Sequence, residues 1–130
     1  MTTLIIKNDV PQPGKTVVIP PNADSEPVIE NTFFFPAIDP KRVRELMRLE
    51  QTIAPARLRN AIKTGIAETN AELYDWRESQ IKAGFARLAD VPSDSLDGES
   101  VRVFYYERAV CAMATATLYE RYRGVDASAR

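Results

Sequence analysis

The chain of 130 residues contains no histidine and a single cysteine, Cys111. The first absence removes the usual metal ligand and the usual general base near neutral pH. The second excludes an internal disulfide, a cysteine-ligated zinc site and CxxC redox chemistry. Cys111 stands among Ala and Met in the middle of an apolar helical pattern, which reads as a buried, inert thiol. No apolar run is long enough to cross a bilayer, and the start, "MTTLIIKND", lacks the basic and long apolar regions of a secretory signal. Neither charge sign is in excess: the net charge is -1, which gives no global signal for coating nucleic acid. No GxxxxGK[ST] or GxGxxG loop is present. The pair Glu68 and Glu72, one helical turn apart, reads as a solvated face. Nothing implies a glycosidase cleft around it. The inventory therefore disfavours an enzyme, and no cofactor or metal is expected.

What is present divides near Asp39. Prolines crowd the first part: Pro11, Pro13, Pro20, Pro21, Pro27, Pro36 and Pro40. Each removes a backbone donor and breaks a helix, so residues 1–38 read as an extended N-terminal arm. Short extended segments are expected at 4–6, 16–19, 28–29 and 33–35. The last of these is the run Phe33, Phe34 and Phe35. Neighbouring side chains point different ways, so one small core does not easily take all three rings. The arm either wraps its own helical body or reaches a neighbouring chain.

Residues 39–124 read as helical. Asp39-Pro40 is an acidic N-cap followed by proline at the first helical position, which predicts a short helix over 40–51 bearing Val43, Leu46, Met47 and Glu50. A second start at Ala54-Pro55 opens a stripe at steps of three and four: Leu58, Ile62, Gly65, Ile66, Thr69, Leu73, Trp76 and Gln80. It predicts one long central helix over 55–83, roughly 43 Å at 1.5 Å per residue. Gly65 either bends it or lets a neighbour pack close, and Gly84 is placed to end it. An acidic polar loop, "ADVPSDSLDGES", leads into a last helix over 99–123, closed by Gly124. There Ala109, Ala112 and Ala116 leave a shallow groove for another helix. Tyr105 and Tyr106 lie about 100° apart around the axis and cannot both face one core. The fold class expected is all-α: a small helical bundle with one long central helix and a proline-rich arm.

The charges are sorted along the chain. Lys41, Arg42, Arg44, Arg48, Arg57, Arg59 and Lys63 face only Glu45 and Glu50 in their stretch. Asp90, Asp94, Asp97, Glu99 and Glu107 surround the lone Arg102. Three readings stay open: balance within the chain, a basic end meeting the acidic end of the next copy, or cations facing nucleic-acid phosphates.

The strings "NTFFFPAIDPKRVRE", "RLEQTIAPARLR", "ETNAELYDWR", "GFARLADVP" and "VFYYERAVCAMATATLYERYRGVDAS" resemble the head completion proteins (the gpL family) of P2-like contractile-tailed temperate bacteriophages, over essentially the whole chain. The resemblance implies an all-helical, non-enzymatic connector similar in architecture to head–tail adaptors of other tailed phages. Such proteins dock on the portal protein after DNA packaging, help retain the genome and carry the tail or its terminator. They sit in the virion at the portal vertex and form rings, commonly of twelve copies. Family members usually continue past "RYRGVDAS", so residues 125–130 read as the start of a C-terminal segment. On this reading Phe33, Phe34, Phe35, Tyr105 and Tyr106 are candidates for a subunit or portal interface. Arg42, Arg44, Arg48, Arg57, Arg59 and Lys63 are candidates for ring joints or for non-specific contact with double-stranded DNA; no membrane partner is expected. The rival reading is a small helical DNA-binding or regulatory domain, with "RLEQTIAPARLRNAIK" as its nearest helix–turn–helix candidate.

Overall fold

The computed structural model describes residues 26–49 and 52–129, with side chains as far as residue 120. The extended segments expected at 4–6 and 16–19 lie outside the described residues. Among the described residues four α-helices carry the fold: α1 (Pro40–Met47), α2 (Pro55–Glu72), α3 (Tyr74–Lys82) and α4 (Val101–Ala129). A short 3-10 turn at Leu88–Asp90 and a two-stranded hairpin, β1 (Ser95–Leu96) and β2 (Glu99–Ser100), join α3 to α4.

The packing of α2 on α4 organises the core. Helix α2 buries Leu58, Ala61, Ile62, Gly65, Ile66 and Thr69, the three-and-four stripe of the sequence. Helix α4 answers with Tyr106, Val110, Ala114 and Leu118, one turn apart each time. Gly65 serves close approach. A Cβ built there would stand 2.8 Å from the Val110 carbonyl oxygen and 3.3 Å from the Ala114 nitrogen.

Helix ends follow local chemistry. Asp39 caps α1 through its side chain, which accepts from the Lys41 N–H at 3.0 Å. The stop of α1 comes earlier than residue 51. Arg48 turns left-handed (φ 55), and the N–H groups of Arg48 and Leu49 bond back to the carbonyls of Glu45 and Arg44. Leu49 is thereby folded under the helix and buried. At the end of α3, Gly84 (φ 104) closes the same way, with Gly84 N–H on Ile81 and Phe85 N–H on Gln80.

Three other expectations are corrected. The single helix over 55–83 is two helices, broken at Leu73, whose φ -96 and ψ 7 leave the helical region. No proline or glycine marks that break in the sequence. Helix α4 runs through Gly124 to Ala129 rather than stopping there. An interior glycine costs a helix only about 1 kcal/mol, and no left-handed turn forms at 124. The acidic loop is also more ordered than expected. Asp97 and Gly98 both have positive φ (51 and 79), as a two-residue type I′ turn requires, and pair Ser95 with Ser100 and Leu96 with Glu99.

The last part of the arm belongs to the body. Ile29 and Ile38 exchange both backbone hydrogen bonds, at 2.8 and 3.0 Å, and close the chain between them into a loop. Leu88 N–H reaches the Phe34 carbonyl at 2.8 Å and pins the loop to the 3-10 turn. Ile29, Phe34, Phe35 and Ile38 are core residues.

Candidate interaction surface

The three phenylalanines separate by direction. Phe34 and Phe35 turn inward with rings edge-to-face at 5.1 Å. Phe34 meets Trp76 edge-on at 6.2 Å, and Phe35 stacks on Tyr106 at 4.6 Å with only 6° between planes. Phe33 turns outward and is 67% exposed. The guanidinium of Arg77 lies 5.9 Å from its ring centroid and 4.8 Å from that of Tyr74. Of the three interface candidates, Phe34 and Phe35 are thus covered by their own chain, and Phe33 is the ring left open to a neighbour.

The paired tyrosines separate too. Tyr105 is 64% exposed, whereas Tyr106 is buried. The Tyr106 hydroxyl donates to Asn70 Oδ1 at 2.5 Å and accepts from Asn31 Nδ2 at 2.8 Å. Asn70 Nδ2 donates to Asn31 Oδ1 at 3.0 Å, and Asn31 Nδ2 also reaches the Pro36 carbonyl. Two asparagines and a tyrosine thereby fasten the phenylalanine loop to α2 and α4. Burial pushes the Tyr106 phenol up to about 12, against the opposing pull of both asparagines. Tyr106 is therefore an interior positioning residue.

Between the α2–α3 junction and α4 lies an open groove of about 380 Å³. Leu73, Trp76, Leu88 and Tyr105 give it apolar walls, and Thr69, Tyr106 and Ala109 complete it. Arg102 is the one cation in the lining, and its guanidinium sits 5.4 Å from the Trp76 ring centroid. From sequence Arg102 reads only as the lone base of an acidic stretch and Trp76 only as part of a helical stripe. The available signal was the sole tryptophan, together with Arg102 one turn ahead of the tyrosine pair.

The basic stretch is partly spent inside the chain. Arg44 is buried and pairs with Glu26, its Nε donating at 2.6 Å, while its Nη2 donates to the Ile53 carbonyl at 2.6 Å. That corrects its assignment as a surface cation. Arg42 donates to Glu107 at 2.7 Å, and this hydrogen bond raises its pKa further. Arg59 donates to the Pro27 carbonyl at 2.8 Å. Arg57 is half-buried and engaged, and Arg48 and Lys63 are exposed. Glu68 and Glu72 are exposed as well, one turn apart on α2. Among the described residues no acidic, thiol or imidazole cluster could hold a metal ion, and no helix is long and apolar enough to cross a membrane.

These features describe a packed helical body with an aromatic groove and an aromatic patch on its surface. The family model of the phage head completion protein (GPL) matches residues 29–130. The chain belongs to this family. A head completion/stabilization protein of Escherichia phage P2 is 73% identical over 131 aligned positions, covering 100% of this chain and 78% of that relative. No solved structure matches. Head completion is a structural role in the virion, and its family is not one of enzymes. The family match begins at Ile29, where the loop closes on Ile38.

Proposed function

We propose that the chain is a head–tail connector that docks on the portal ring after DNA packaging, helps retain the genome and offers the platform for tail attachment. Copies stand side by side in a ring that matches the portal. The observation that carries this reading is the likeness along the full chain to a head completion/stabilization protein. The surface supports it. Phe33, Tyr74, Leu96, Tyr105 and Tyr119 are each more than half exposed on a body whose core is otherwise closed. Exposed aromatic anchors of this kind are enriched where proteins meet.

Contact with packaged DNA in this role is non-specific and falls steeply with salt. The surface cations Arg48 and Lys63 are its carriers, because Arg42, Arg44 and Arg59 are held by partners in the chain. No observation favours the helix–turn–helix alternative. Its would-be recognition helix, α2, turns Leu58, Ala61 and Ile62 into the core.

The test is the light-scattering mass of the protein alone and mixed with purified portal ring, at two salt concentrations. A stoichiometric complex on the portal is expected. An unchanged mass in the mixture at both salts would remove the portal from the reading.

A further inference from the structure

We infer that the groove between α3 and α4 is a socket for the hairpin tip of a second copy, with Leu96 entering the apolar trough and the acids beside it meeting Arg102. The inference rests on the connector reading only in placing copies next to one another.

The two halves of the contact are both on this chain, and among the described residues neither is covered. Among the described residues Arg102 is the only charged side chain that lines the groove, beside the hydroxyl-bearing Thr69, Tyr105 and Tyr106. Arg102 uses its Nε on the Pro92 carbonyl at 3.3 Å and forms no ion pair among the described residues. A cation held over a tryptophan face, in a groove without an acid, is arranged for a carboxylate from outside.

The hairpin supplies the complement. Leu96 is 59% exposed at its tip, with Asp97 next to it in the turn and exposed Asp94 two residues earlier. The type I′ turn fixes these groups in place, so little order is lost when they dock. The hairpin cannot fill its own groove. Its base is tied to the start of α4 by Val101 N–H on the Asp94 carbonyl at 3.0 Å and by the Ser93 and Ser100 hydroxyls at 3.0 Å. Knob and socket are different surfaces, so a contact made in one direction only is heterologous and repeats from copy to copy, as a ring requires.

Cysteine pairing tests this directly, because the native Cys111 is buried. A Leu96→Cys copy and an Ala109→Cys copy, distinguished by size tags, are mixed at high concentration with and without portal ring and oxidised mildly. The expected product is the mixed disulfide, in excess over either homodimer. Arg102→Glu in the Ala109→Cys copy lowers its yield more than about tenfold, as the loss of one partner of a desolvated charge pair does. Asp94→Asn with Asp97→Asn in the other copy leaves every core contact intact and also lowers the yield. A mixed disulfide absent in both settings, or present only at the statistical ratio, overturns the contact. A yield indifferent to both sets of substitutions does the same. If the unaltered chain binds portal while the mixed disulfide fails, the socket is wrong and the connector reading stands. The reverse result removes the portal and keeps the socket.

Discussion

At the scale of single residues, two buried polar groups carry unusual weight. Tyr106 is an aromatic ring in the core whose hydroxyl is fully used by Asn31 and Asn70. Tyr106→Phe keeps the stack on Phe35 but takes the donor from Asn70 Oδ1, while Asn31 keeps its bond to the Pro36 carbonyl; the unsatisfied acceptor should cost about 1–3 kcal/mol in urea unfolding. The phenol also sets a pH dependence. Its folded pKa is about 12 against an ordinary 10.0, so the folded state holds the proton longer than the unfolded state. The associated stability is complete below pH ~10 and is lost as pH rises towards ~12. The buried Cys111 thiol, pushed by burial to about 11 from 9.0, acts in the same direction from pH ~9 upward. Unfolding free energy followed from pH 8 to 12 should fall along this range, and Tyr106→Phe should flatten its upper part. The second group is Arg44. Arg44→Ala leaves Glu26 buried without its cation, and a loss of about 3–5 kcal/mol is expected in thermal or denaturant unfolding. Neither role is visible in sequence. Tyr105 and Tyr106 are the same residue type side by side, and Arg44 stands in a run of basic residues that reads as surface.

At the scale of elements, periodicity and punctuation account for most of what forms. The stripe from Leu58 to Thr69 is the buried face of α2, and Asp39-Pro40 and Gly84 mark true ends. The break at Leu73 and the left-handed Arg48 carry no such mark, because either residue type is ordinary inside a helix. Gly65 had two readings, bend or close contact, and the neighbouring helix decides between them. Gly65→Ala should destabilise by about 1–3 kcal/mol through overpacking, since its Cβ would meet backbone atoms of α4. Calorimetry of the variant checks this. A neutral or stabilising result, as ordinary helix propensity would give, would show that α2 and α4 separate easily. The Asp97-Gly98 dipeptide was a hairpin signal in plain view. The strands it joins are only two residues each, too short for an alternating apolar pattern to mark them in sequence.

At the scale of the whole molecule, the arm and the helices are one body from Ile29 onward. If the chain docks as proposed, the run of three phenylalanines divides into two inward rings that hold the core and an outward Phe33 open to a partner. Phe34→Ala empties a core position and should cost about 3–5 kcal/mol of monomer stability. Phe33→Ala removes an exposed ring and should leave the melting temperature within a degree or two while weakening association with the portal. Parallel melting curves and portal-binding titrations on the two variants check this. A Phe33→Ala chain that binds portal as the parent does would take the outward ring out of the interface.

Spacing, capping residues and composition are enough to read the helical class, the starts of α1 and α2, and the family from the chain alone. The tertiary structure alone decided which phenylalanine and which tyrosine face inward, which arginines are spent on partners within the chain, and that Trp76 and Arg102 share a groove. Those outcomes depend on residues far apart in the chain meeting in space. Burial and pairing there are set by which neighbour arrives, and local pattern does not encode that.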